Sequence, residues 1–455
     1  MSRNKTSRSV YRCTECGHVQ NKWNGQCPGC GTWNALVESI ESPAVPSRLA
    51  GYAGDAGRAT PIPLSRIEVE EFARRPVGIG ELDRVLGGGL VKGSAVLLGG
   101  DPGIGKSTLL LQTAAALSDG GSTLYITGEE SLGQVSLRGR RLGVAGEKVL
   151  MLAETCLERI LDAAGAAAPD VLVIDSIQTT YSEQLQSSPG SVAQVRECAA
   201  QLVRYAKRSE TSVFLIGHVT KEGALAGPRV LEHMVDTVLY FEGDANSRFR
   251  VIRSFKNRFG AVNELGVFAM GEAGLREVRN PSAIFLSRYD DDLAGSVVMV
   301  MREGSRPILL EVQALVDECH GGMPRRLAVG MEQNRLAMLL AVLHRHGGIP
   351  ILNQDVFINL VGGLRLSETA GDLPVVVAIA SSFRDRPLPR DWIVFGEVGL
   401  NGEVRPVANG EERLREARKQ GFAHALVPQA NAPRPPIEGL QVIPVRSLRQ
   451  ALDAI

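Results

Sequence analysis

Residues 100–107 read Gly-Asp-Pro-Gly-Ile-Gly-Lys-Ser, the spacing G-x-x-x-x-G-K-[ST] in which a glycine loop cradles phosphate. The motif carries meaning only between a strand and a helix, and both flanks comply. Ser94-Ala-Val-Leu-Leu98 ahead of it is a short apolar run of strand type, and Thr108-Leu-Leu-Leu-Gln-Thr-Ala-Ala-Ala-Leu117 behind it is rich in strong helix formers. That order aims the backbone N–H groups of the loop and the positive end of a helix dipole at one anion. Gly100, Asp101, Pro102, Gly103, Ile104, Gly105, Lys106, Ser107 and Thr108 are therefore the candidate ATP-binding residues. Gly103 and Gly105 permit close approach, Lys106 reaches the β- and γ-phosphates, and the Ser107 hydroxyl can ligate Mg²⁺. A plain glycine turn before a buried helix would need neither the lysine nor the serine.

From residue 67 to 275 apolar strand-like runs alternate with longer helical ones, as a parallel α/β sheet requires. Two of these strands end in carboxylates. Val171-Leu-Val-Ile-Asp175 places an acid where a phosphate-loop fold holds the magnesium shell beside Ser107. Thr127-Gly-Glu-Glu130 follows the strand after the phosphate-loop helix, where a carboxylate can activate the attacking water. Glu129 is the favoured base, with Glu130 next. Lys256 and Arg258 lie two apart, so an extended backbone points them the same way.

Residues 1–37 hold Cys13-x2-Cys16-x10-Cys27-x2-Cys30, two CxxC pairs each followed by glycine. Four thiolates so spaced make a closed tetrahedral site typical of structural Zn²⁺, with no position left open for catalysis. Arg3, Lys5, Arg8, Arg12 and Lys22 surround it against Glu15, and Trp23 and Trp33 flank the second pair. These tryptophans suit either nucleic-acid stacking or a small core, and protein docking is a third use. The other cysteines, Cys156, Cys198 and Cys319, read as buried small apolar residues, and a disulfide framework is not expected. Residues 38–66 are Ser/Pro/Gly/Ala-rich and read as a flexible linker. At 455 residues and 44% apolar composition the chain has room for about three packed domains. Its formal net charge is zero, so nucleic acid must be met by local patches. No apolar run is long enough to span a membrane and the N-terminus lacks the apolar core of a signal peptide, so a cytoplasmic protein is expected.

Taken together, the glycine-rich lead-in over residues 78–90, GDPGIGKST, Tyr-Ile-Thr-Gly-Glu-Glu-Ser131, Val-Ile-Asp-Ser-Ile-Gln178 and Lys256-Asn-Arg-Phe-Gly260 resemble the bacterial RadA/Sms family over nearly the whole chain. The resemblance implies a RecA-like ATPase domain over residues 67–275, an N-terminal zinc motif, and a Lon-protease-like α/β domain over residues 276–455. It implies a DNA-dependent ATPase of recombinational repair, moving single-stranded or branched DNA by branch migration or helicase-type action as a homo-hexamer. A recombinase or replicative helicase is the implied protein partner. Lys256 and Arg258 would then reach the γ-phosphate of the neighbouring subunit, as an arginine finger does. His218 would sense the γ-phosphate, and Lys221 and Arg229 would contact the DNA backbone. Residues 179–190 would form a second DNA-facing loop.

In the C-terminal part, Thr369 stands where Lon-type enzymes carry their serine, and Glu411 where they carry the lysine. A carboxylate cannot serve as the neutral amine of that dyad, so peptidase activity is not expected. Arg325, Arg326, Arg384, Arg386 and Arg390 are candidates for a second basic surface. The rival reading is a KaiC-like signalling ATPase, which shares the phosphate loop and paired glutamates but not the zinc motif or Lys-Asn-Arg-Phe-Gly.

Overall fold

A computed structural model describes residues 8–41, 63, 73–144, 148–218, 230–243, 248–282, 286, 293–362, 365–366 and 368–455. The first described unit is a three-stranded sheet of β1 (Arg8–Cys13), β2 (Val19–Gln20) and β3 (Leu36–Glu41), in the order β2-β1-β3. Among the described residues its core cluster is Cys13, Cys27, Ala35 and Leu36 with Tyr11 against them, too little apolar area to hold a fold without a further tie.

The short pair β4 (Arg74–Arg75) and β5 (Leu90–Val91) brackets α1 (Gly80–Leu86). Gly87 caps α1 at φ 83°, and a Cβ on Gly89 would stand 2.7 Å from the Arg75 carbonyl oxygen, so the glycines of this lead-in are sterically required.

The strands that follow are β6 (Ala95–Gly100), β7 (Thr123–Thr127), β8 (Val149–Ala153), β9 (Val171–Asp175), β10 (Ser212–His218), β11 (Thr237–Glu242), β12 (Phe249–Asn257), β13 (Leu265–Gly271) and β14 (Gly274–Glu277). They form one nine-stranded sheet in the order β14-β13-β12-β11-β6-β10-β9-β7-β8. The six from β11 to β8 in that order are parallel, and β12 to β14 add an antiparallel edge. Helices α2 (Lys106–Ser118), α3 (Leu132–Arg141), α4 (Leu157–Ala167) and α5 (Val192–Ser209) make the crossovers. Apolar clusters on both faces explain why the central strands are apolar throughout and do not alternate.

The C-terminal sheet contains β15 (Ser296–Glu303), β16 (Arg306–Glu318), β17 (Arg326–Val329), β18 (Gln354–Leu360) and three further short strands, with the helix Asp372–Arg384 packed on it. It is tied to the ATPase domain through buried polar contacts. Glu81 of α1 accepts from Arg306 at 2.9 Å and from the Val267 amide at 2.9 Å, and Arg253 of β12 pairs with Glu303 of β15. Among the described residues no helix is long and apolar enough to cross a membrane. Cys156 and Cys198 are buried as expected, whereas Cys319 is half-exposed because its loop lies at the end of β16.

Candidate functional site

The parallel strands bring four chain segments to one edge of the sheet. The register pairs Gly100 with His218 across β6 and β10, and Asp175 with Thr127 across β9 and β7. The phosphate loop, Asp175, the glutamates after Thr127 and His218 thus line up at the carboxyl ends of neighbouring strands, where open α/β sheets bind ligands.

Within the loop, Gly103 and Gly105 have φ of 77° and 116°, and α2 starts at Lys106 without a side-chain cap on its N-terminal amides. Those amides are available to an anion. Lys106 is only 3% exposed, and its ammonium donates to the carbonyls of Gly100 and Asp101 at 2.8 Å each. Burial pushes the ammonium down to about 8, against the attraction of Asp175, Glu129 and Asp101.

Asp175 is buried, accepts a 2.6 Å hydrogen bond from the Tyr125 hydroxyl, and is hydrogen-bonded to Ser107. Burial pushes its carboxyl up in spite of those bonds. A buried carboxylate held against a serine hydroxyl is an oxygen pair that a hard divalent cation would stabilise, so the residues present fit Mg²⁺.

The two glutamates, adjacent in sequence, separate in space. Glu130 turns back to α3, where it pairs with Arg138, and its main-chain carbonyl accepts from Thr127 Oγ1 at 2.7 Å. Glu129 faces the sheet edge: Oε1 lies 3.1 Å from His218 Nε2 and accepts from the Ser176 hydroxyl. The His218 contact first, then the Ser176 bond, hold its carboxyl down at about 2, so it is ionised at neutral pH and a weak proton acceptor in this arrangement. His218 Nδ1 is buried without a hydrogen-bond partner among the described residues, and Gln178 donates to the His218 carbonyl at 3.3 Å.

Lys256 and Arg258 are elsewhere. In β12 Lys256 pairs with Val238 of β11, which pairs with Leu97 of β6. That is three residues back from Gly100, about 10 Å toward the opposite edge of the sheet. Lys256 donates to the carbonyls of Glu232 and Val235 at 2.7 and 2.8 Å. Arg258 pairs at 3.3 Å with Asp236, whose buried carboxylate also accepts from Lys207 at 2.6 Å and the Ala95 amide at 3.0 Å. Both cations therefore turn to the 232–236 segment, as their spacing predicts.

Lys221 and Arg229 lie outside the described residues. Residues 179–190 follow β9 on the site's edge and are pinned by Gln194 of α5, whose buried amide nitrogen donates to the carbonyls of Ser182, Leu185 and Ser187. A cavity of about 440 Å³ next to the first turn of α2 is lined by Thr108, Arg141, Met270 and Glu272 among others. The sequence points only to Thr108 there, because the rest come from the end of α3 and the β13–β14 hairpin, far along the chain and without a motif of their own.

In the knuckle, the four cysteine sulfurs lie within 4.8 Å of one another, with Cys13–Cys30 and Cys16–Cys27 each at 3.6 Å. Tetrahedral ligands at about 2.3 Å from zinc stand roughly 3.8 Å apart, so the set fits Zn²⁺. Gly17 and Gly31 take φ of 74° and 75° and close the turns after each pair.

Thr369 Oγ1 donates to Glu397 Oε2 at 2.7 Å, whereas Glu411 pairs with Arg415 on the exposed face of its own helix. The carboxylate beside the threonine is thus Glu397. Arg325 pairs with Asp355, Arg384 donates to the Leu452 carbonyl and Arg326 to that of Leu352, while Arg386 and Arg390 are exposed.

Family models match three stretches of the chain. Residues 61–224 match an AAA domain family model, residues 11–38 a rubredoxin metal binding domain, and residues 322–431 the subunit ChlI of Mg-chelatase. The chain is 61% identical to DNA repair protein RadA of Pseudomonas aeruginosa, with 99% of each covered. It is 56% identical to the protein of that name from Escherichia coli (99% of this chain, 98% of the relative) and 49% to that from Bacillus subtilis (98% of each). A solved KaiC-like protein from Pyrococcus horikoshii is 21% identical, with a TM-score of 0.39 over 46% of this chain and 99% of its own.

Proposed function

The chain belongs to the RadA family of DNA repair proteins, and from that premise we propose that its ATPase is driven by DNA and moves branched recombination intermediates by branch migration or helicase-type action. Whole-length likeness to DNA repair proteins sets aside the KaiC-like signalling alternative. The observation that carries the reading is the single row of Lys106, Asp175, Glu129 and His218 along neighbouring strand ends.

In this scheme Lys106 and the amides opening α2 hold the triphosphate, with the base in the cavity lined by Arg141 and Met270. Ser107 and Asp175 would hold Mg²⁺, which neutralises developing phosphate charge. Glu129 orients the attacking water. It becomes a stronger base once His218 leaves it for the γ-phosphate, and the neighbouring 219–229 segment, with Lys221 and Arg229, passes that change to DNA. Lys256 and Arg258 complete the site of the next subunit in a homo-hexamer. ATPase turnover is expected to rise on adding single-stranded DNA, with binding that weakens steeply with salt. Absence of both stimulation and salt-dependent binding would sink the proposal.

The C-terminal domain is read as non-proteolytic. Thr369 has a carboxylate neighbour, and the one lysine after residue 275, Lys419, sits exposed at the far end of the helix that Glu411 opens. An amine eight residues beyond Glu411 is about 12 Å further along that helix.

The glutamates discriminate themselves. Glu129→Gln is expected to lower turnover roughly 10²- to 10⁴-fold, and Glu130→Gln, which loses a part-exposed ion pair, less than about threefold. Steady-state hydrolysis of both variants decides it; equal losses would return the assignment to open.

Lys106 supplies a pH dependence. Its ammonium titrates near 8 in the free protein and stays protonated against bound phosphate. Nucleotide binding should take up close to one proton at pH 9 and almost none at pH 7, weakening about tenfold per pH unit above 8. Calorimetry in two buffers of different ionisation enthalpy reads the uptake directly, and none at pH 9 would contradict the buried-lysine account.

A further inference from the structure

The two tryptophans of the zinc knuckle take no part in the ATPase site. Trp23 is 53% and Trp33 68% exposed, and neither joins the core of Tyr11, Cys13, Cys27, Ala35 and Leu36. The reading of these rings as core packing is therefore excluded.

Instead the indoles converge. A Cβ built on Gly25 would stand 3.4 Å from Trp33 Cζ3 and 3.9 Å from Trp23 Cη2, so Gly25 lies against both rings. The backbone beneath is fixed: Gln26 and Trp33 form a β-bridge, and the Asn34 amide donates to the Gly25 carbonyl at 2.7 Å. An aromatic platform stands ready before any ligand arrives, and ordering it costs little on binding.

Charge says what the ligand is. Residues 1–37 carry Arg3, Lys5, Arg8, Arg12 and Lys22 against Glu15 alone, in a chain whose formal net charge is zero. Lys22, next to Trp23, and His18 are exposed. Glu38, the next acid, is across the sheet from Tyr11. Open rings in a segment of five cations and one acid, with Lys22 next to one ring, fit a partner that has flat apolar faces and regularly spaced anions. Unpaired nucleic acid has both, whereas a duplex hides its base faces and an apolar protein segment leaves the cations unmatched.

We propose that the knuckle is a single-strand binding platform: Trp23 and Trp33 stack unpaired bases while its basic residues meet the phosphates. The proposal rests on the DNA reading above and adds to it a binding surface outside the ATPase domain.

The test titrates the full-length chain with a dT oligonucleotide and follows tryptophan emission. The chain has three tryptophans; the third, Trp392, stacks on His424 in the C-terminal domain, and a Trp392→Phe background removes its signal. Emission is expected to be quenched on binding. Trp23→Ala and Trp33→Ala should each weaken dT affinity roughly 5- to 100-fold. Tyrosine at either position should stay within about threefold, because it keeps a stacking face. The slope of affinity against salt should be unchanged, since the phosphate contacts remain. Retained zinc shows that each variant is folded, and DNA-free ATPase activity should be unaltered. Unchanged dT affinity without quenching in the double alanine variant would overturn the platform and leave the DNA-dependent ATPase standing. Failure of the unsubstituted chain to bind dT at low salt would overturn the DNA reading itself. Loss of a protein partner with dT affinity kept would assign the rings to protein docking and also overturn the proposal.

Discussion

A one-to-one mixture of Arg258→Ala and Glu129→Ala protomers is expected to hydrolyse ATP at up to about a quarter of the unsubstituted rate, although Arg258→Ala alone should fall at least roughly a thousand-fold. The expectation comes from sheet geometry. Lys256 is level with Leu97, away from the phosphate loop that begins at Gly100, and Arg258 lies beyond the end of its strand. Neither cation can serve its own chain's loop without crossing the sheet. In a head-to-tail ring one interface in about four of a random mixture joins an intact Glu129 to an intact Arg258. Were the pair to act within its own chain, every protomer would lack one essential group and mixing would rescue nothing. Assembly should survive the substitution. Asp236 keeps its bonds from Lys207 and the Ala95 amide, and the lost pair is half-exposed, costing about 0–1 kcal/mol. Light scattering on the variant alone checks that point, and Lys256→Ala should behave alike.

Lys106→Ala is expected to lower turnover roughly 10³-fold or more, the loss of a preorganised cation from a site that excludes water. Its effect on the empty protein should be small or even stabilising. Lys106 is 3% exposed and burial disfavours its charge, while the carbonyls it leaves lie at the last residue of β6 and the first of the loop after it. The variant should therefore melt at or above the unsubstituted temperature without nucleotide and lose the upward shift that ATP gives. Lys106→Arg should not restore activity, because a planar guanidinium does not fit the space of a compact ammonium. More than a tenth of normal turnover in the alanine variant would remove Lys106 from the assigned role.

Which of two adjacent residues acts is a different kind of question. Glu129 and Glu130 follow the same strand and carry the same chemistry, so no pattern in the chain orders them firmly. Arg138, eight residues on in α3, draws Glu130 away, and His218 from a strand two places over meets Glu129. The cavity beside the first turn of α2 was invisible for the same reason: Arg141 of α3 and the Met270–Glu272 stretch of the β13–β14 hairpin lie far apart in the chain, and no spacing relates them to the phosphate loop. Trp23 and Trp33 could be placed beside the cysteines but not inside or outside a core, since exposure depends on what packs over a side chain.

The chain by itself determined the nucleotide loop, the metal knuckle, the acid at the end of β9 and the alternation that makes a parallel sheet. Each of these is local: a few neighbouring residues fix a turn, a ligand spacing or a strand end through backbone geometry alone. Only the tertiary structure decided that Lys106, Asp175, Glu129 and His218 share one edge while Lys256 and Arg258 occupy the other. Strand order and register set those positions, and they follow from how apolar faces pack across the whole sheet.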